Sequence, residues 1–184
     1  YNEKTGDNAY VGYMYGKVGA SSYTETHANI NDSTIKEVLD NWYKTNIVDK
    51  GYSDKVADAI YCNDRQVISD YQNYGILGYG TSATVYMPTN RLFTSEWTWK
   101  NVEEIKMVCS QKNDAFTVND TIYGNGALEY PIGLVTVDEV VAGGMFGNEN
   151  NYLSTGKDYH TMSPRSFDGT ASIDYSVASA NVVG

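Results

Sequence analysis

The most constraining feature of this chain is an apolar stripe at helical spacing. Ile35, Val38, Leu39 and Trp42 fall at i, i+3, i+4 and i+7, which puts all four on one face of a helix. Asn31-Asp32-Ser33-Thr34 leads into the stripe, and Thr34 with Glu37 fits a capping box, in which a hydroxyl and a carboxylate each take a backbone N–H left unpaired at the helix start. Such a face needs a sheet to cover it, so the four side chains are expected to be buried, and Trp42→Ala to cost about 3–5 kcal/mol. Thr136-Val137-Asp138-Glu139 repeats the box ahead of Val140-Val141-Ala142, with Gly143-Gly144 available as the stop.

The rest of the pattern is shorter in period. Asn8 to Gly16 alternates aromatic with small residues and reads as a strand. Pro131 to Val135 reads as a strand leading into the second helix. Tyr71 to Tyr86, with Gly75, Gly78 and Gly80 between tyrosines, reads as an irregular loop. Gly78-Tyr79-Gly80 lacks the third glycine, the lysine and the following helix of a phosphate-binding loop. Asn148 to Tyr152 is a polar loop, after which strand-like pieces resume.

At 184 residues the chain is expected to hold one domain, spanning 1–184. Its net charge of −10 repels phosphate backbones, which argues against a nucleic-acid partner. No apolar run approaches the ~20 residues needed for a membrane span. Beside 20% charged residues stand 17 Tyr and 17 Asn. Tyr supplies stiff amphipathic contact area and Asn adaptable hydrogen bonding, as binding surfaces outside the cell use them; strand propensity explains the same tyrosines. Tyr1 is not a start methionine, so the chain reads as a processed product or part of something longer, and the uncharged stretch from Ala178 to Gly184 as a truncated strand.

Few constellations carry chemistry. Cys62 and Cys109 are too few for a sulfur-rich zinc site; in an exported protein such a pair reads as a disulfide, two buried thiols being the alternative. Closing that loop would stabilise the fold by about 4 kcal/mol. His27 and His160 are the only histidines, no nucleophile motif accompanies them, and both read as polar surface or loop residues. Asn113-Asp114, Asn119-Asp120 and Asn148-Glu149-Asn150 offer the hard oxygens that Ca²⁺ takes, without EF-hand spacing, and Asx turns account for the same pairs. No metal site and no cofactor is expected, with Ca²⁺ the one alternative.

Met107-Val108-Cys109, Asn113 to Thr121, Gly124 to Leu128, Tyr130 to Thr136, Asp138-Glu139, Ala142-Gly143-Gly144 and Tyr159 to Pro164 occur in an order that resembles an uncharacterised surface domain of gut Firmicutes and their phages. Ala9 to Gly16, Thr26 to Asn31, Trp42 to Asn46 and Cys62 to Arg65 extend the likeness over most of the chain. The resemblance implies an α+β, C-type-lectin-like fold of the subclass shared with formylglycine-generating enzymes, with short helices, a small mixed sheet and long irregular loops. It also implies positions for Cys62 and Cys109 that match the surface family and not a copper-holding pair. No R-G-G-S-W strand is present, so no enzyme is expected. Relatives carry Trp where His160 stands and end on a strand of the type V-R-P-V-I-N-L, which is missing here, so the domain is read as truncated or as lacking its last strand.

The function expected is extracellular recognition or adhesion at a bacterial surface, pilus or phage particle. The ligand would be a host or bacterial surface glycan or protein, held by Tyr152, Tyr159, His160, Arg165, Phe167 and Tyr175. The alternative is a structural subunit that self-assembles into a pilus-like filament or decorates a phage particle. Tyr159 to Pro164 is expected to run as a strand into a turn, with Thr161 and Ser163 on one side and His160 and Met162 on the other. An imidazole in place of an indole would make binding at position 160 sensitive to pH near 6.5.

Overall fold

The computed structural model describes residues 14–15, 22–67, 84–92, 104–145, 150–154, 159–168 and 174–180. They form a mixed helix-and-strand fold with small antiparallel sheets. β1 (Met14–Tyr15) pairs with β2 (Asn31–Asp32), and between them lies the single turn α1 (Tyr23–Thr26). Met14 and Tyr15 are the described part of the strand expected over Asn8 to Gly16.

The helix expected after Asn31 is α2 (Thr34–Tyr43), but both its cap and its buried face differ from the expectation. The N-cap is Ser33, whose hydroxyl accepts from the Lys36 N–H at 3.2 Å, so the Thr34–Glu37 box does not form. Chain direction explains this: β2 delivers Ser33 in extended conformation (φ −75°, ψ 161°), the backbone an N-cap needs. Ile35, Lys36 and Tyr43 are buried and Leu39 partly so, whereas Val38 and Trp42 are 51% and 53% exposed. At 100° per residue the buried face is turned by roughly 60° from the apolar stripe. Two contacts lie on the turned face: Tyr43 stacks on Tyr130 at 5.2 Å, and buried Lys36 pairs with Asp40 one turn on. Burial drives the Asp40 carboxyl above its ordinary value, against the pull of Lys36.

β3 (Tyr61–Cys62) pairs antiparallel with β5 (Ala115–Phe116), Tyr61 opposite Phe116 and Cys62 opposite Ala115. Just past the ladder the Asn63 N–H donates to the Asp114 carbonyl at 3.0 Å, while the Asp114 N–H turns back to Gln111 O. Cys62 and Cys109 form a disulfide, with Cα atoms 5.4 Å apart. Of the stretch expected to be an irregular loop, residues 71–83 lie outside the described ones; Thr84–Val85 is a strand, β4, and Tyr86 bridges Val67. α3 (Met87–Leu92) follows.

α4 (Val137–Ala142) begins on the expected capping box: the Thr136 hydroxyl accepts from Glu139 N–H at 3.1 Å, and the Glu139 carboxylate accepts from Thr136 N–H at 2.7 Å. Gly143 caps its end and Gly144 takes the left-handed conformation at φ +70°. The strand expected over Pro131 to Val135 is absent. Pro131 has no N–H to give a ladder, Ile132 N–H turns back to the Tyr130 carbonyl, and the segment bonds singly, through Pro131 O to the Tyr61 hydroxyl and through Val135 O to Met162 N–H.

β6 (Tyr159–Asp168) and β7 (Asp174–Ala180) form a hairpin, and β4 lies on the other side of β6. The expected turn at Pro164 does not occur; the strand runs on to Asp168. From His160↔Ser179 to Pro164↔Val177 the chain advances four positions on β6 against two on β7, so surplus residues bulge out of the ladder. The bulged stretch bonds to the start of α4 instead: Met162 N–H donates to Val135 O at 3.0 Å, and the Ser163 hydroxyl accepts from Val137 N–H at 2.9 Å. Thr161, Met162 and Ser163 are all buried, and His160 is half-buried.

The core has two main parts. Phe116, Leu128 and Met162 gather under Leu39 and Leu134, while Leu92, Val137 and Val141 meet Ile105 where α3 and α4 touch. No helix among the described residues is long and apolar enough to cross a membrane.

Candidate functional site

Tyr152 and Tyr159 are brought together at the end of α4. Asn151 pins a turn over residues 150–154: its side-chain N–H donates to Gly143 O at 2.6 Å, its side-chain oxygen accepts from Leu153 N–H at 2.9 Å, and its carbonyl accepts from Ser154 N–H at 2.9 Å. Leu153 folds under the turn against Val140 and Met145, so close to Gly143 that a Cβ there would lie 2.8 Å from its methyl. Between these two anchored residues Tyr152 projects into solvent, 84% exposed. Tyr159 joins the same apolar cluster and its hydroxyl donates to the Met145 sulfur at 3.0 Å. Burial, helped by the neighbouring Tyr152, raises the Tyr159 phenol above its ordinary value.

His160 follows on β6, half-buried and opposite Ser179. Phe167 pairs in register with Tyr175 and with Thr84, and Arg165 stands at the second register shift, between Pro164 and Ser166. These three positions are spread along the hairpin, and β6 carries four of the six candidates.

The second histidine is not a surface residue. His27 is 4% exposed, its ring edge-on to Tyr86 and its Nε2 3.5 Å from the Arg65 carbonyl. The oxygen-rich pairs are used as turn and strand supports. Asp120 accepts from Ile122 and Tyr123 N–H groups, and the Asn113 carbonyl accepts from the Asn29 and Asn125 side chains. Asn148 and Glu149 lie outside the described residues. Among the described residues no three His, Cys, Asp or Glu side chains gather as a metal site.

Sequence reasoning missed a buried ionic network beside the disulfide. Asp114, fully buried, accepts from Arg65 at its backbone N–H and through Nε (both 2.9 Å) and pairs with Nη2 at 2.7 Å; the guanidinium lies 5.7 Å from the centre of the Phe116 ring. Arg91 forks onto Asp138, reaches Asp64 at 3.4 Å and donates to Glu104 O at 2.8 Å. Asp138 also takes Lys106 N–H, and Asp64 takes Gln66 N–H and the Ser110 hydroxyl. Burial would lower the Arg91 pKa, but Asp138 and Asp64 outweigh it and raise it. The partners lie tens of residues apart, so no local motif announces them; the one available signal is that Asp64, Arg65, Ser110 and Asp114 flank the two cysteines. Chemically the network fixes loops: both guanidinium groups are held against carboxylates.

No family model matches the chain, and no curated protein or solved structure matches it.

Proposed function

We propose that this chain is a non-catalytic recognition domain that works outside the cell and binds a glycan or protein through exposed aromatic side chains on rigid loops. The observation that carries this reading is Tyr152, 84% exposed on a turn whose other residues are bonded or buried on both sides of it. A ring presented this way loses little entropy on binding, and stacking on a sugar face or filling a protein pocket recovers its apolar area. The disulfide between Cys62 and Cys109 suits an oxidising compartment and supports the extracellular placement. The resemblance to surface domains with a C-type-lectin-like fold agrees with this reading, and the fold assignment at that level is part of the proposal.

The test is a glycan array and a surface-protein panel probed with wild type and Tyr152→Ala. A ligand retained by wild type and lost by the variant, at equal melting temperature, supports the reading; a ligand bound equally by both overturns the role of Tyr152. The alternative, a self-assembling subunit of a filament or particle, draws on Val38 and Trp42, which leave an apolar strip exposed on α2. Sedimentation and electron microscopy of Trp42→Ser against wild type separate the two: assemblies that vanish with the variant favour the subunit.

A further inference from the structure

Asn63 is fully buried, and neither its side-chain oxygen nor its side-chain nitrogen has a hydrogen-bond partner among the described residues. An amide buried in that state costs several times what a satisfied one does, and folded proteins rarely tolerate it. Its place in the fold shows what surrounds it. The Asn63 N–H bonds to the backbone carbonyl of Asp114, the last residue of the short turn Lys112–Asp114 that leads into β5. The carboxylate of the same Asp114 holds Arg65, two residues beyond Asn63, over the Phe116 ring. Asn63 and Arg65 thus both lie against Asp114. Arg65 is 2% exposed and its Nη1 likewise lacks a partner there, while Nε and Nη2 are both engaged. The buried surroundings of Asp114 thus hold an acceptor, the Asn63 oxygen, and two donors, Asn63 Nδ2 and Arg65 Nη1.

We propose that Asn63 and Arg65 bind an internal water molecule, which serves as the last member of the ionic network. The donor set selects the ligand. A small anion would satisfy the two donors but leave the Asn63 oxygen unpaired, and it would sit beside the negative Asp114; a cation would be repelled by Arg65. Water donates to the Asn63 oxygen and accepts from the nitrogens, which meets the two to four bonds that buried waters make. Its role is to couple the strand that carries Cys62 to the Arg65–Asp114 pair.

The deciding measurement is a crystal structure of the wild-type protein, oxidised, at a resolution that shows ordered solvent. A water within hydrogen-bond distance of the Asn63 side chain and Arg65 Nη1 supports the proposal. Protein atoms bonded to the Asn63 amide, or a dry site, overturn it. Asn63→Leu, similar in size and without polar atoms, gives an independent sign in urea denaturation. If water bridges the two residues, the variant strands Arg65 Nη1 and the folded-to-unfolded ratio falls about tenfold or more. If the amide is truly unpaired, the variant removes that burden and the ratio rises, which refutes the proposal even where the crystal form is ambiguous. Should the variant not fold, the wild-type solvent structure alone decides.

Discussion

Replacing Asp114 with Asn probes the most deeply buried ion pair among the described residues. Its carboxylate accepts from the Arg65 backbone N–H and Nε and pairs with Nη2, at 2.7–2.9 Å, with Asp114 fully buried and Arg65 2% exposed. Removing one charge of such a pair strands the other in low dielectric, a loss of about 3–5 kcal/mol. With a urea dependence of roughly 2 kcal/mol per molar, the midpoint should fall by about 1.5–2.5 M at unchanged slope. Equilibrium denaturation at neutral pH, with the disulfide intact, reads this directly. The double variant Arg65→Met, Asp114→Leu should recover most of the loss, because two apolar side chains leave no charge unpaired and Met can still lie on Phe116. A midpoint shift below about 0.5 M for Asp114→Asn would refute the reasoning, as would a double variant weaker than the sum of its singles.

The disulfide, the core and the exposed carboxylates give further expected outcomes. Cys62→Ser should lower stability by about 4 kcal/mol, the chain-entropy value for a 47-residue separation, seen as a drop in melting temperature matched by reduced wild type. Trp42→Ala should cost no more than about 1 kcal/mol given its exposure, while Met162→Ala, at a fully buried site, should cost about 2–5 kcal/mol; calorimetry that reverses this order would restore Trp42 to the core. Partial burial acts to raise the Asp58 pKa, but the N–H groups of Val118, Asn119 and Asp120 outweigh it and hold the carboxyl below 3.8. A depressed folded-state pKa stabilises above the unfolded value and is lost as pH falls through the folded one, so Asp58→Asn should flatten the acid limb of the stability profile below roughly pH 4. A variant with the wild-type acid limb would show that another carboxylate sets it.

Local signals were legible and long-range ones were not. The Thr136–Glu139 box reads from four residues because both partners of each hydrogen bond lie within one turn. The cysteines pair as expected, since two thiols in one chain leave a single intramolecular choice. The α2 stripe misled because its face is decided by Tyr130, far along the chain, and because buried Lys36 hides its charge against Asp40. Pro131 to Val135 looks like a strand by composition, but a strand also needs a neighbour to bond, and its one long-range backbone bond is to Met162. Of the candidate site, Tyr152 neighbours Tyr159 because Asn151 folds the turn back onto α4; Phe167 and Tyr175 belong to the hairpin register, which aromatic content cannot reveal.

The bulge in β6 keys the hairpin. A regular two-stranded ladder can slide by one residue and exchange the faces of every side chain, but here the surplus residues are clasped by the segment around Val135 and Val137. Sliding β6 would pull Met162 and Ser163 out of that clasp and empty the buried space they fill. The hairpin and the helix start therefore check each other like a tongue in a slot. An insertion or deletion between His160 and Pro164 would be felt at the α4 cap before it was felt at the strand ends, and the aromatic turn beyond that helix would shift with it.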